Sequence, residues 1–420
     1  MDKLVIEGGS PLTGTVTVSG AKNSVLPIMA ACLLTDDRCT IRNVPRVADV
    51  LTMMKILQAL DVKASLEEGR LTIAANGYRK YVAPYKLVST MRASICTLGP
   101  LLAKQHRAEV SMPGGCIIGP RPINLHLKGL AALGAQIAVE HGYIIAKARQ
   151  LRGGKVYLGG SFGSSVLATG NVLMAATLAR GRTVIENAAC EPEVVDLARF
   201  LAKMGAKIEG IGSHMLEIEG VKRLHGADHT IIHDRIEAGT HLIGAAMTRS
   251  TLTVKGARLE HLGAVVDKLT EAGVSVRETD GGLRVQTRRA LRPVDVTTLP
   301  YPGFPTDLQA QMMALMTVTD GISVITEKVY PERFMHISEL NRMGAGIQLQ
   351  GDSGIVKGVK RLSGAPVMAS DLRASAALVL AGLVAQGRTD VQRVYHLSRG
   401  YDKLERKLAS VGARIWREKA

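Results

Sequence analysis

The sequence predicts an α/β protein with two domains, built from six similar units. Its 420 residues are enough for two hydrophobic cores, and an apolar fraction of 46% with 44 glycines is typical of a turn-rich α/β chain. A helical segment followed by a glycine-type stop and a strand recurs about every seventy residues. The six helices end at Leu60, Leu133, Met204, Ala272, Met343 and Val411.

The register of apolar residues supports the repeat. In the third unit Val194, Leu197, Leu201 and Met204 recur at helical spacing and predict one buried stripe. The first and sixth units carry the same stripe at Val50, Met53, Leu57 and Leu60, and at Tyr401, Leu404, Leu408 and Val411. The residue after each stripe is usually glycine, which predicts a helix C-cap.

Each unit also carries an earlier, more uniformly apolar helix followed by a β-branched strand, so we expect units of the βαβαβ type. Three units would form an N-terminal domain over residues 22–232. Residues 1–21 resemble a strand that returns to the C-terminal domain, which would therefore comprise residues 1–21 plus 233–420. Such a connection would leave a cleft between the domains.

Composition excludes several classes of protein. Five cysteines at irregular spacing argue against a disulfide framework, and no Cys/His pairs show zinc spacing, so we expect no metal. The apolar runs are too short to span a membrane, and the first residues lack a signal-peptide pattern, which predicts a cytoplasmic protein.

A net charge of +16 predicts an anionic ligand. Scattered charges and an aromatic content of 3% argue against nucleic acid as that ligand.

Three residues interrupt the apolar stripes. His126 stands in the second stripe, and Arg333 and His336 stand in the fifth. A hydrogen-bonded core histidine is the commoner explanation for either histidine. A buried arginine needs an anionic partner, so Arg333 is the stronger functional candidate.

Several cations precede predicted helices. Arg121 and Arg399 occupy the same position in two units, where a helix N-terminus would favour an anion. Lys22, Arg92 and Arg373 oppose the N-terminal dipole and therefore suggest bound anions. Coincidence among 53 basic residues is the alternative.

Cys116 and Asp307 are the candidates for proton transfer. Cys116 lies in a glycine-flanked loop close to Arg121, and a nearby cation favours a thiolate. Asp307 follows a Gly-Phe-Pro-Thr turn, where it could take a proton from a hydroxyl. An inert loop cysteine and a helix-terminal aspartate are the structural alternatives. Thr240 and Thr306 are expected to be helix caps.

Five segments, in this order along the chain, resemble the signatures of the UDP-N-acetylglucosamine 1-carboxyvinyltransferases, a group of enolpyruvyl transferases. They are Ser19 to Ser24, Pro113 to Pro122, Phe304 to Gln311, Asp371 to Ser375 and His396 to Tyr401. The resemblance implies the two-domain inverted α/β barrel of these enzymes, as in EPSP synthase. It also implies the first committed step of peptidoglycan synthesis, in which the enolpyruvyl group of phosphoenolpyruvate passes to the 3-hydroxyl of UDP-N-acetylglucosamine and phosphate is released. No metal or organic cofactor is implied.

The resemblance also implies roles for individual residues. Cys116 matches the proton donor that can form a thioether and is the target of fosfomycin, and Asp307 matches the residue that deprotonates the sugar hydroxyl. Lys22, Arg121 and Arg399 match residues that hold phosphoenolpyruvate. The remaining matches are acceptor-binding or cleft residues, namely Asn23, Arg92, Pro122, Ile123, Asn124, Leu125, Val329, Arg333, Asp371 and Arg373.

Three departures from the family pattern fall on the acceptor side. Asn124 replaces an aspartate, residues 161–171 form a loop that is one residue longer, and Cys190 stands where a basic residue is common. A paralogous enolpyruvyl transferase that acts on another nucleotide or nucleotide sugar is therefore the first alternative. A basic RNA-binding or RNA-processing protein of similar units would explain the charge but leave Cys116 and Asp307 without a role.

Overall fold

The computed structural model describes residues 2–114, 123–161 and 163–419. Within these residues the chain divides into two units. One comprises residues 2–19 and 233–419, and the other comprises the described part of residues 20–232. The chain passes from one unit to the other after Ser19 and again after Ile232.

The strands of the described residues are short, as expected for a chain rich in glycine turns. They are β1 Asp2–Glu7, β2 Thr13–Thr17, β3 Arg38–Arg42, β4 Lys63–Glu67, β5 Arg70–Ala74, β6 Val82–Ala83, β7 Arg107–Ser111, β8 Gln136–Glu140, β9 Tyr143–Lys147, β10 Lys155–Tyr157, β11 Gly159–Gly160, β12 Gly163–Ser164, β13 Arg182–Glu186, β14 Lys207–Glu209, β15 Met215–Glu219, β16 Asp228–Thr230, β17 Thr251–Lys255, β18 Ser275–Thr279, β19 Gly282–Gln286, β20 Val296–Thr298, β21 Ile322–Glu327, β22 Gly346–Gln350, β23 Ser353–Lys357, β24 Pro366–Met368, β25 Arg388–Gln392 and β26 Arg414–Lys419.

The helices alternate with these strands. They are α1 Lys22–Ala31, α2 Ala48–Ala59, α3 Tyr85–Val88, α4 Leu98–Gln105, α5 Asn124–Ala132, α6 Val166–Ala176, α7 Pro192–Lys203, α8 Arg235–Met247, α9 Gly263–Glu271, α10 Gln309–Thr317, α11 His336–Arg342, α12 Leu372–Val384 and α13 Leu404–Ser410. Short 3-10 helices cover Cys32–Leu34, Arg92–Thr97, Leu259–His261, Thr306–Leu308 and Leu397–Arg399.

The six repeats appear as six four-stranded sheets with one common strand order. In the second sheet β6 runs parallel to β7, β9 is antiparallel to β7, and β8 forms the edge, which makes the unit βαβαββ. The predicted βαβαβ unit therefore lacked one strand. The missed strand is β9, which pairs with β8 in an antiparallel hairpin and lies on its inner side in the sheet. None of the sheets closes into a barrel within the described ranges.

Strands from distant parts of the chain complete three of the sheets. β1 lies between β25 and β26, and β2 pairs in parallel with β17, so the N-terminal segment contributes two strands instead of the expected single strand. β16 pairs in parallel with β3 and supplies the first strand of the first repeat. Each of the two domain-sized units thus contains a sheet that is completed by a strand far away in sequence.

The predicted apolar stripes are confirmed. In α7 and the residue that follows it, Val194, Leu197, Leu201 and Met204 are all buried, and burial of each such side chain contributes roughly 1.5–3 kcal/mol. The stop residues also behave as predicted, because the glycines after five of the helices adopt positive φ angles, from 89° to 108°. In the first repeat this place is taken by Asp61, with φ 64°.

Each unit has its own apolar core, in which the first helix of a repeat is buried on most sides. In α12, for example, eleven of the thirteen residues are buried. Across the described ranges, no helix combines the length and the apolar character that a membrane span requires.

Candidate active site

Asp307 lies at the entrance to α10 in the unit formed by residues 2–19 and 233–419. β20 is followed by a turn, and a 3-10 helix from Thr306 to Leu308 then leads directly into α10. The Asp307 side chain keeps an exposed fraction of 26%, whereas those of Arg333 and Arg373 keep 5% and 2%. The carboxylate is therefore accessible, while the cations that hold it are buried.

Two arginines bind the two oxygens of Asp307. Nη1 of Arg333 donates to Oδ1 at 2.8 Å, and Nε of Arg373 donates to Oδ2 at 3.1 Å. Nη2 of Arg373 is also 3.1 Å from Oδ2. Charge-assisted bonds from two planar guanidinium groups fix both the position and the plane of the carboxylate. The prediction that Arg333 needs an anionic partner is confirmed.

Asp371 connects this pair to the start of α12. Its Oδ1 accepts hydrogen bonds from the backbone N–H groups of Arg373, at 2.7 Å, and Ala374, at 3.2 Å, and so caps the helix. The same oxygen lies 3.9 Å from Nη2 of Arg333. The cap therefore fixes the helix turn from which Arg373 reaches Asp307.

The arginines remain charged despite their burial. Burial lowers the pKa of Arg373, but Tyr401, Asp307 and Asp234 outweigh it and the pKa is raised. Burial likewise lowers the pKa of Arg333, and Asp307 and Asp371 more than offset it. Within the described residues, Nε of Arg373 donates a hydrogen bond to Asp307, whereas Nη1 and Nη2 make none.

Protein carboxylates lie beside Arg373 and Lys22, two of the cations that are expected to attract a bound anion. Arg373 pairs with Asp307, and Nζ of Lys22, the first residue of α1, lies 3.2 Å from Oδ2 of Asp49. Asp49 lies in the first turn of α2 and is buried. Each cation is therefore held in place by a carboxylate from a neighbouring helix.

Gln311 and Glu327 also belong to the Asp307 network, although the sequence did not identify them as site residues. Nε2 of Gln311 donates to the backbone oxygen of Asp307 at 3.1 Å and lies 3.3 Å from the hydroxyl of Tyr401. The Glu327 carboxylate accepts a hydrogen bond from Oγ1 of Thr306 at 2.8 Å and another from the Val329 N–H at 2.8 Å. The sequence signal of Gln311 was weak, since it occupies an ordinary position in α10.

The predicted threonine caps are wrong. Asp234 caps α8 instead, and Thr240 lies inside that helix, where its hydroxyl donates to the Ile236 carbonyl at 2.8 Å. Thr306 begins the 3-10 helix, but its hydroxyl bonds to Glu327 and no capping bond forms. Thr240 thus bonds to the backbone of its own helix, whereas Thr306 bonds to a side chain at the end of β21.

Arg399 lies in the 3-10 helix Leu397–Arg399 and is partly exposed. It does not enter the N-terminus of α13, which begins only at Leu404, so the predicted dipole effect of that helix does not apply. Burial and the positive charge of Arg399 lower the pKa of the neighbouring His396. The charges of Arg399 and Asp371 thus act on His396 in opposite directions.

In the other unit, Arg92 begins the 3-10 helix Arg92–Thr97 and lies near His126. Burial, with a contribution from Arg92, lowers the pKa of His126 to about 3, so the imidazole is neutral. Its Nδ1 lies 2.8 Å from Nδ2 of Asn171, which also donates to the Ile95 carbonyl at 2.8 Å. This histidine is a hydrogen-bonded core residue.

The described acceptor-side residues lie around the start of α5. Ile123 is buried and precedes the helix, Asn124 is its exposed first residue, and Leu125 is partly buried. A Cβ atom placed on Gly160 would approach Leu125 to 3.2 Å, so the β11–β12 hairpin packs closely against this turn. Asn23, in α1, lines a small cleft with Leu167 of α6.

The predicted loop over residues 161–171 is shorter than expected. Residues 163–164 form β12, the side chain of Ser165 caps α6, and residues 166–171 already belong to that helix. Cys190, the third departure, is buried, with Sγ 3.3 Å from Nδ1 of His214. Burial raises the pKa of this thiol.

Cys116, Arg121 and Pro122 lie outside the described residues, and their roles remain predictions. The expectation that Arg121 and Arg399 both hold phosphoenolpyruvate also depends on that segment. In residues 2–114, 123–161 and 163–419, no group of three or more His, Cys, Asp or Glu side chains is arranged to hold a metal ion.

Comparison with known proteins places this geometry in a family. A family model described as EPSP synthase (3-phosphoshikimate 1-carboxyvinyltransferase) matches residues 6–408. The UDP-N-acetylglucosamine 1-carboxyvinyltransferase of Methylacidiphilum infernorum (isolate V4) is 54% identical over 417 residues, covering 99% of both chains. The enzyme of the same name from Myxococcus xanthus (strain DK1622) is 55% identical over 423 residues, covering 100% of both.

Two solved structures of enolpyruvyl transferases have a similar fold. The enolpyruvyl transferase NikO from Streptomyces tendae has a TM-score of 0.90 at 25% identity and covers 100% of this chain and 99% of its own. EPSP synthase from Acinetobacter baumannii has a TM-score of 0.77 at 17% identity, with full coverage of both chains, and shares the fold. The chain therefore belongs to the enolpyruvyl transferase family, within its group of UDP-N-acetylglucosamine 1-carboxyvinyltransferases.

Proposed function

We propose that this protein transfers the enolpyruvyl group of phosphoenolpyruvate to the 3-hydroxyl of UDP-N-acetylglucosamine and releases phosphate, which is the first committed step of peptidoglycan synthesis. The names of the full-length relatives support the acceptor. The observation that carries the chemistry is Asp307, a partly exposed carboxylate whose two oxygens are each held by a buried arginine. A fixed carboxylate beside a bound hydroxyl is suited to act as a general base.

The proposed reaction needs one base, one acid and fixed cations. Asp307 takes the proton of the 3-hydroxyl, and the sugar oxygen forms a bond to C2 of phosphoenolpyruvate. The methylene carbon C3 takes a proton, which we assign to Cys116, and a tetrahedral intermediate results. The bond from C2 to the phosphate oxygen then breaks, the phosphate takes the proton held by Asp307, the Cys116 thiolate takes a proton from the methyl group, and the carbon–carbon double bond forms again.

Binding roles are distributed over both units of the chain. Lys22, Arg121 and Arg399 are proposed to hold the phosphate and carboxylate of phosphoenolpyruvate, because fixed cations stabilise the charge that develops in the intermediate. The acceptor is proposed to bind near the first turn of α5, near Arg92 and Asn23, and near Val329. A cytoplasmic location remains a prediction from the sequence.

Phosphate release from phosphoenolpyruvate, measured with a panel of acceptors, tests the proposal. The expected result is rapid release with UDP-N-acetylglucosamine, slower release with other UDP-sugars, and none with 3-phosphoshikimate. Preference for a different nucleotide would support a paralogous transferase instead. Absence of release with every acceptor, together with tight binding of single-stranded RNA, would support the RNA-binding alternative and contradict the proposal.

A further inference from the structure

Glu327 is a fully buried carboxylate at the end of β21. Its Oε1 accepts hydrogen bonds from the hydroxyl of Thr298 at 2.6 Å and from the backbone N–H groups of Val329 at 2.8 Å and Tyr330 at 2.9 Å. Its Oε2 accepts one from the hydroxyl of Thr306 at 2.8 Å. Four donors around one buried carboxylate fix it in a single orientation.

Thr306 transmits this orientation to Arg333. Because the Thr306 hydroxyl donates its proton to Glu327, its lone pairs are available to Nη1 of Arg333, which lies 3.0 Å away. The same Nη1 donates to Oδ1 of Asp307 at 2.8 Å. Each hydrogen on this nitrogen thus has its own acceptor, and the chain of bonds runs from Glu327 to Asp307.

Glu327 also acts on Arg333 through its charge. It is among the carboxylates that raise the pKa of this buried arginine, although Arg333 makes its hydrogen bonds to Thr306 and Asp307. Glu327 can therefore support the cation without competing for the N–H groups that orient Asp307.

We propose that Glu327 is a positioning residue for the transfer reaction, one that aligns the base Asp307 through Thr306 and Arg333 while it holds the backbone of the Val329 turn. One carboxylate would then set both the direction of the base and the shape of the adjoining acceptor surface. The inference rests on the proposed function, because Asp307 is taken as the base.

The variant Glu327→Gln interrupts this chain with the smallest change of shape. Its amide oxygen can still accept the three bonds made to Oε1, but its NH2 group faces the Thr306 hydroxyl and cannot accept its proton. We expect kcat to fall roughly tenfold or more, while the KM for phosphoenolpyruvate and the Kd for UDP-N-acetylglucosamine change less than about threefold.

Variants at Thr306 test the next link, even if Glu327→Gln does not fold. Thr306→Val removes the hydroxyl and should lower kcat by a similar factor, whereas Thr306→Ser keeps it and should stay within about threefold of the wild type. The matched control is Thr326→Val. Thr326 is next to Glu327 in the chain, and its hydroxyl lies 2.9 Å from that of Ser353, outside the Glu327 chain of bonds. Its kcat should equal that of the wild type.

The double variant separates positioning from general stability. If Glu327 acts through Thr306, Glu327→Gln combined with Thr306→Val should lose no more activity than either change alone. Wild-type kcat in Thr306→Val, equal losses in Thr306→Ser and Thr306→Val, or fully additive losses in the double variant would overturn the inference. Absence of transfer in both the wild type and Thr326→Val would instead contradict the proposed function itself.

Discussion

Oδ2 of Asp307 lies 3.1 Å from both Nε and Nη2 of Arg373, a residue 66 positions later in the chain. The contact joins the entrance of α10 to the first turn of α12, two helices that belong to different repeats. A lysine could supply the charge at this position, but it could not present its donor from a rigid, planar guanidinium group.

The first prediction follows from that geometry. Arg373→Lys should keep the charge but release the plane of the Asp307 carboxylate, so kcat should fall by about one to two orders of magnitude. Steady-state kinetics would measure it, with Arg342→Lys on the exposed side of α11 as the matched control. A variant as active as this control would show that the orientation of Asp307 does not depend on Arg373.

Asp49 is predicted to act through Lys22. The pair is largely buried, and Asp49→Asn would leave the ammonium group without its carboxylate and free to move. The KM for phosphoenolpyruvate should rise about tenfold, with less than about a threefold change for the acceptor.

Asp61→Asn is the suitable control for this pair. The Asp61 ion pair with Lys80 is exposed, and asparagine tolerates the positive φ of that position. Equal effects of the two substitutions on phosphoenolpyruvate would argue against a specific role of Asp49.

The reactive thiol is predicted to be Cys116. The other four cysteines are buried, and burial raises the pKa of Cys96 to about 12 and also raises that of Cys190. A fosfomycin-like epoxide should therefore label one peptide, the one that contains Cys116, and peptide mass mapping would identify it. Labelling at Cys32, Cys39, Cys96 or Cys190 in the folded protein would contradict the assignment.

His126 should contribute to acid instability. Its pKa in the folded protein, about 3, lies below its ordinary value of 6.5. Between these pH values the unfolded chain therefore binds a proton at His126 that the native state does not bind. Stability from this source is complete above pH 6.5 and is lost progressively as the pH falls towards 3. His336, whose pKa burial lowers to about 4, adds a similar loss that is common to the wild type and a His126 variant.

Denaturation of His126→Asn isolates this contribution. Asparagine can accept the bond from Asn171 but does not titrate, so its unfolding free energy should fall less between pH 7 and about 4.5, by on the order of 2 kcal/mol. Chemical denaturation at both pH values measures the difference. Identical pH dependence in the two proteins would show that His126 titrates normally.

Much of the fold follows from local patterns, because every repeat has an apolar helix stripe that is followed by a residue with a positive φ angle. Arg333 could also be identified, since a cation in an apolar stripe requires an anion. The second strand of each hairpin was not predicted, because the repeating signal of a helix, a glycine and a strand ends before it. Glu327 had a usable signal, since Ser323, Ile325 and Glu327 alternate on the buried face of β21. Its partners could not be inferred, because Thr298 and Thr306 reach it only through the tertiary fold.

Single-turnover transfer by Asp307→Asn tests the central claim most directly. Asparagine keeps the shape of Asp307 but cannot take a proton, and the control Asp320→Asn alters an exposed aspartate beyond the far end of α10. With phosphoenolpyruvate and UDP-N-acetylglucosamine, the wild type and Asp320→Asn should form the enolpyruvyl ether and equimolar phosphate. Asp307→Asn should bind the acceptor but react about 10²- to 10⁴-fold more slowly. Wild-type rates in Asp307→Asn, or no enolpyruvyl ether from the wild type, would contradict the account.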